Sequence, residues 1–206
     1  MFITFEGVEG CGKTTQIAFL ESYLKDKGHQ VVRTREPGGT ALGEALRKIL
    51  LHQDLHVLPF SELLVLMAVR TQHMEELIMP ALNERKIVLC DRFMDASYAY
   101  QGYGRGIDLG IIQTLNRYVT KGITPNLTFL LDCPADTGLK RKRAQDSPSD
   151  RFEDEALSFH EKIRQGYLNL ARNDQRFFVI DAKQDMKTIE AMIKEKVDKL
   201  LEGYGV

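Results

Sequence analysis

Apolar residues along this chain come in two patterns. Short runs fall at residues 2–5, 30–34, 87–91, 127–132 and 177–181, rich in Val, Ile, Leu and Phe. Such unbroken runs suit strands buried on both faces. Between them, apolar residues recur every three or four positions. Examples are Ile17, Leu20, Tyr23 and Leu24; Leu42, Ala45, Leu46, Ile49 and Leu50; Leu109, Ile112, Leu115 and Val119; and Ile189, Met192, Ile193, Val197, Leu200 and Leu201. That spacing predicts helices with one buried face. Five strands alternating with helices predict an α/β fold, a five-stranded parallel sheet with helices on both faces. Ligands of such sheets bind at the carboxyl ends of the strands.

Polar punctuation sets the boundaries. Gly28 reads as a helix stop, Pro37-Gly38-Gly39 as a loop, and Thr40 and Asp108 as helix caps. Ser61 is expected to cap a long helix over 62–84, kinked at Pro80. Its stretch 63–69 is apolar all round, as in a helix that is fully buried or buried partly in another subunit. A helix through Ala96 and Tyr100 leads to a glycine-rich stretch at 102–106. Pro134 can open a helix that ends in Lys140, Arg141, Lys142 and Arg143, and residues 147–150 break it. A further helix is expected over 153–172. No repeat or linker interrupts the chain, so residues 1–206 read as one domain.

Composition narrows the class. With 206 residues, 43 % of them hydrophobic, the chain can bury a sizeable core. A net charge of −1 argues against a bulk role on nucleic acid or a membrane surface. Cys11, Cys90 and Cys133 lack paired spacing, which favours a reducing compartment over disulfides or a zinc site. The N-terminus runs straight into a strand, so no signal peptide is expected. No apolar run approaches the roughly 20 residues of a membrane span.

Chemistry is announced by Gly7-Val8-Glu9-Gly10-Cys11-Gly12-Lys13-Thr14, which reads G-x-x-x-x-G-K-T between a strand and a helix. In that context glycines turn backbone N–H groups toward an anion, and the new helix adds its free N–H groups and dipole. Lys13 can reach β- and γ-phosphates, and the Thr14 hydroxyl can ligate Mg²⁺. Asp91, Asp132 and Asp181 all end strands and could hold that metal or cap the next helix. Spacing alone does not choose among them. Arg92, which can fork onto a second phosphate, favours Asp91. A non-catalytic nucleotide-binding switch is the rival reading, but it gives a second phosphate site no purpose.

Four stretches in order carry a family resemblance. They are Phe5 through Thr15, Thr34-Arg35-Glu36-Pro37-Gly38-Gly39-Thr40, Asp91-Arg92-Phe93 with Tyr100-Gln101-Gly102, and Asp150-Arg151-Phe152-Glu153. Together they resemble the thymidylate kinases of the bacterial type, from end to end of the chain. The resemblance implies the nucleoside-monophosphate kinase fold with a phosphate loop. It implies transfer of the γ-phosphoryl group of ATP to dTMP with Mg²⁺, in a cytoplasmic homodimer whose contact includes the helix near 62–69. Another nucleoside-monophosphate kinase is the nearest alternative. Glu9 would face the acceptor 3′-hydroxyl. Arg141, Arg143 and Arg151 would be arginines of a lid over about 140–152, with Lys13 and Arg92 beside them in catalysis. Lys140 and Lys142 read as a solvated face. Arg35 and Arg92 would hold the dTMP phosphate, Arg70, Ser97 and Gln101 the base, and Tyr100 the sugar face.

One position departs from the family pattern. Four residues before Arg70, where the family usually places a Phe that stacks on thymine, stands Leu66. Aromatic pairing is worth roughly 0.5–1.5 kcal/mol beyond buried area, or about 2- to 12-fold in affinity. A Leu66→Phe variant is therefore expected to bind dTMP more tightly by that factor in a titration. Equal or tighter binding by the unmodified chain would count against stacking at this position.

Overall fold

The structure is a computed structural model that describes residues 1–144 and 150–204. Five parallel strands form one sheet: β1 (Phe2–Glu6), β2 (Val31–Arg35), β3 (Ile87–Asp91), β4 (Leu127–Asp132) and β5 (Phe177–Asp181). Their spatial order is β2-β3-β1-β4-β5. The central strand β1 pairs Thr4 with Cys90 on one side and with Thr128 on the other. Every residue of β1 is buried, as the unbroken apolar run requires. Phe5 and Phe129 pack with ring centroids 5.0 Å apart on one side of the sheet. Phe2 and Phe93 meet edge to face at 4.9 Å in a separate cluster with Met74 and Ile78. The predicted five-stranded parallel architecture is thus the one observed.

Helices cover both faces. They are α1 (Lys13–Asp26), α2 (Ala41–Leu50), α3 (Pro59–His73), α4 (Met79–Asn83), α5 (Met94–Ser97), α6 (Leu109–Val119), α7 (Ala135–Arg143), α8 (Leu157–Asn173) and α9 (Met186–Tyr204). The expected caps are present: Thr40 Oγ1 accepts from Gly43 N at 3.0 Å, and Asp108 Oδ1 accepts from Ile111 N at 3.1 Å. Gly28 ends α1 with φ of 88°, a left-handed conformation suited to glycine.

Several boundaries differ from the sequence reading for definite reasons. The helix expected from Ser61 starts at Pro59, whose missing N–H is harmless in a first turn. Pro80 cannot donate to the residue four back, and the turn before it widens into a π-helical segment, Met74–Ile78, ahead of α4. The glycine-rich stretch after Tyr100 continues helical as far as Gly104, because Tyr98–Gly104 is also π-helical. Its glycines serve close packing instead. A Cβ on Gly104 would lie 2.7 Å from the Phe159 ring, and one on Gly166 would lie 2.7 Å from the Tyr103 ring. The helix expected from 153 starts at Leu157. Before it, Asp150 Oδ1 accepts from Phe152 N at 2.9 Å and Glu153 N at 3.1 Å and holds a turn. Residues 145–149, most of the expected break and part of the expected lid, lie outside the described residues.

The contact that positions the site lies between the glycine loop and α7. A Cβ on Gly138 would sit 2.3 Å from Glu9 O, and one on Gly10 would sit 2.0 Å from Gly138 O. Backbone meets backbone here, so no side chain can yield. Gly138→Ala is expected to cost about 1–3 kcal/mol, with Tm lower by about 2–4 °C per kcal/mol for a domain of this size. An unchanged melting curve would contradict this packing.

Candidate active site

Gly12 turns the chain into α1 with φ of 101°, and no side chain caps that helix. Its first N–H groups are therefore available to an anion. Lys13 folds back over the loop, donating from Nζ to Gly7 O at 3.2 Å and Val8 O at 3.0 Å. Val8 and Cys11 are buried in the main core beneath. Above the loop a cavity of about 490 Å³ opens at the carboxyl ends of the strands. Glu9, Gly10, Gly12, Lys13 and Thr14 line one side of it, and Arg35, Leu66, Arg70, Arg92, Ser97, Tyr100 and Gln101 the other. Asp91 stands between, its Oδ2 accepting from Thr14 Oγ1 at 3.1 Å.

Glu9 is drawn toward the second side. Its Oε1 accepts from Arg92 Nη2 at 3.0 Å and from Tyr100 OH in a short bond. Its Oε2 lies 3.3 Å from Nδ1 of the fully buried His160, without hydrogen-bond alignment. Burial pushes the Glu9 carboxyl up, but Arg92, His160, Lys13 and Tyr100 outweigh it and hold it well below the usual range. Arg92 also donates to Gly7 O at 2.8 Å and Tyr167 OH at 3.1 Å, and its guanidinium lies 4.8 Å from the Tyr100 ring centre.

Arg70 is buried to 2 % exposure. Its Nε donates to Glu36 Oε2 at 2.8 Å, Nη1 to Ser97 Oγ at 2.9 Å and Asn116 Oδ1 at 2.5 Å, and Nη2 to Phe93 O at 3.0 Å. Nη2 also lies 2.7 Å from Glu36 Oε2, which closes the ion pair. Burial raises the Glu36 carboxyl, but Arg70 and His73 more than reverse that and lower it.

The basic cluster divides differently from the sequence reading. Arg141 Nη1 donates to Ala182 O at 3.0 Å, and Arg143 is exposed. Arg151 donates to Leu50 O at 3.0 Å and pairs with Glu62 at 2.7 Å. Lys142, expected on a solvated face, lines the cavity and lies 3.4 Å from Glu153. Glu36, Phe152 and Glu153, quoted within the motifs but given no role, also line it, as does Arg47, which the sequence did not single out. Arg47 donates to Pro37 O at 2.8 Å, and only its helical distance from the capping Thr40 could have placed it there. Asp132, read as a possible metal ligand or helix cap, takes a two-pronged pair from Arg164 at 2.7 and 2.9 Å.

Comparison with known proteins bears directly on this arrangement. The family model described as thymidylate kinase matches residues 5–193. The chain belongs to the thymidylate kinase family. It is 50 % identical to the thymidylate kinase of Geotalea uraniireducens, over 98 % of this chain and 99 % of that protein. It is 51 % identical to that of Methylococcus capsulatus, over 98 % and 97 %. The crystal structure of thymidylate kinase from Ehrlichia chaffeensis superposes with a TM-score of 0.79 at 36 % identity, covering 96 % of this chain and 98 % of that one. The activity that goes with thymidylate kinase membership is phosphorylation of dTMP, with ATP as the other substrate. Among the described residues, no helix is long and apolar enough to cross a membrane.

Beneath Arg92, Glu6 is fully buried, accepting from Phe93 N at 2.8 Å and Tyr167 OH at 2.7 Å. Burial, with Asp95 adding to it against Arg92, pushes its carboxyl up to about 8. The folded chain thus keeps a proton on Glu6 that the unfolded chain has lost above about 4.5. Stability from this group is full below that value and is lost as pH rises toward 8, with a slope of at most about 1.4 kcal/mol per pH unit. Glu6→Gln is expected to flatten the fall in Tm between about pH 5 and pH 8. Parallel Tm profiles for the two proteins would place the proton elsewhere.

Proposed function

We propose that this chain transfers the γ-phosphoryl group of ATP to dTMP by holding the two phosphates across the cavity between Lys13 and Arg92. The glycine loop from Gly7 to Thr14 cradles the ATP phosphates with its N–H groups, and Lys13 leaves its carbonyl partners to follow the transferring group. Arg92 and Arg35 bind the acceptor phosphate, whose own oxygen is the nucleophile, so no separate base is required. Glu9, neutralised by Arg92, turns its carboxylate to the sugar 3′-hydroxyl beside Tyr100. Ser97 and Gln101 read the base, with Leu66 against its face. Arg70 acts on the base through Ser97, to which it already donates.

The Thr14 and Asp91 oxygens, 3.1 Å apart at the mouth of the loop, are a donor set that suits Mg²⁺. Among the described residues no three His, Cys, Asp or Glu side chains cluster as a metal site. That fits an ion held by one carboxylate, a hydroxyl and substrate phosphates, where it would neutralise phosphate charge. Arg141, Arg143 and Arg151 supply further positive charge from the lid over 140–152, Arg141 and Arg151 by exchanging their present partners for phosphate oxygens. Arginines in that role are worth roughly 10³–10⁵ in rate in other phosphoryl-transfer enzymes.

The same reading includes one domain, a cytoplasmic location and a homodimer. On α3, Phe60, Leu64 and Ala68 recur every fourth residue and are exposed, Phe60 by 49 % and Leu64 by 47 %. With Leu109 and Ile111 of α6, also exposed, they offer an apolar face to a second copy.

The observation that carries the proposal is a single cavity with a phosphate loop on one side and Arg92, Arg35 and the base-facing polar groups on the other. The test is steady-state ADP production with ATP and Mg²⁺ against dTMP, dUMP, UMP, dCMP, AMP and GMP. Strong preference for dTMP is expected. Preference for another monophosphate would reassign the acceptor, and turnover with none of them would favour a nucleotide-binding switch.

A further inference from the structure

We propose that Glu62 is a positioning residue that fixes the side-chain amide of Gln101 in one orientation, and so sets which pyrimidine base the acceptor site admits. The inference rests on the acceptor reading above. Glu62 stands in the first turn of α3 and is fully buried, and Gln101 in the π-helical segment is 1 % exposed. Gln101 Nε2 donates to Glu62 Oε1 at 2.8 Å. The other groups on Glu62 are also donors, Arg151 Nη2 at 2.7 Å and Arg105 at 3.3 and 3.4 Å.

A carboxylate amid such donors only accepts, so the NH₂ end of Gln101 must face it. That leaves Gln101 Oε1 as the end turned away. This oxygen is buried and has no hydrogen-bond partner in the protein, while Gln101 itself lines the cavity. Buried carbonyl oxygens rarely stay unpaired, so a ligand N–H is the natural complement. Thymine and uracil carry a donor at ring N3, and cytosine carries a lone pair there. An oxygen locked in this place accepts from the first two and repels the third. A neutral amide at position 62 could accept or donate, and Gln101 could then turn to suit either base.

The experiment compares the native chain with Glu62→Gln, which keeps the shape and an oxygen for the two arginines. kcat, KM and Kd are measured for dTMP and dCMP. The preference for dTMP is expected to narrow by roughly tenfold or more, the size of one hydrogen bond to a charged group. The change should appear in KM and Kd, with dCMP bound more tightly than before. A general loss of structure cannot produce that gain. Should Glu62→Gln fail to fold, the native chain decides by NMR. The Gln101 side-chain N–H signals, assigned by their loss in Gln101→Leu, are expected to exchange slowly with solvent, and fast exchange would overturn the proposal. A folded Glu62→Gln chain with unchanged preference, or with both acceptors weakened equally, would overturn it too. A native chain with no preference for dTMP over dCMP would instead overturn the acceptor reading and take this inference with it.

Discussion

The guanidinium of Arg92 joins the two sides of the cavity. It reaches the loop through Gly7 O at 2.8 Å and the acid within the loop through Glu9 at 3.0 Å, and it rests on Tyr100. Its backbone is bent to do so, with φ of 66°, a left-handed conformation that a side chain enters at a cost. A carboxylate inside a phosphate loop would repel an incoming nucleotide if left alone. With Arg92 and Tyr100 on one oxygen and His160 beside the other, Glu9 is held on the Arg92 side of the cavity, away from the loop N–H groups at the start of α1. One ion pair thus sorts the charges of the whole site. Removing the Arg92 side chain would leave the Glu9 charge buried and uncompensated, which is far costlier than the pair itself is stabilising.

Rigid packing supports that sorting. The loop is pressed on α7 at Gly10 and Gly138, and the π-helical wall is pressed on α8 at Gly104 and Gly166. The first, backbone on backbone, leaves no room for a Cβ, and at the second a Cβ would force the Phe159 or Tyr103 ring to shift. The basic end of α7 therefore starts from a fixed point beside the phosphate loop. The wall that carries Tyr100 and Gln101 is likewise fixed against α8, which carries His160 and Tyr167.

Much of this was legible in the sequence. Unbroken apolar runs located the strands because central parallel strands are buried on both faces, and the loop motif located one wall of the cavity because its geometry is local. Arg35, Arg92, Ser97, Tyr100 and Gln101 were found at the cavity from motif resemblance. What escaped depends on side-chain partners far away in sequence. Lys142 and Arg141 are neighbours in one basic run, yet one faces the cavity and the other reaches Ala182. Only the rotation of α7 on the loop decides between them. The glycines after Tyr100 received no assignment from the sequence, because local composition cannot distinguish freedom from crowding. Glu62 gave no signal at all, since an acid in a first helical turn is ordinary on a surface and unusual only when it is buried.

That burial bears on how the arginines around Glu62 can be held or released. Arg151 pairs with Glu62 at 2.7 Å. If it were the sole partner, its departure would strand a buried carboxylate, a penalty large enough to hold it in place. Glu62 has a second guanidinium, however, with Arg105 at 3.3 Å, and Arg105 is itself anchored on Glu155 at 2.5 Å. Arg105 also lies over the Phe159 ring at 4.5 Å, which keeps it in position without Arg151. One arginine can leave while the other keeps the acid paired. In the lid role proposed for Arg151, such an exchange would trade one charge-assisted bond for another, and the phosphate would decide the balance.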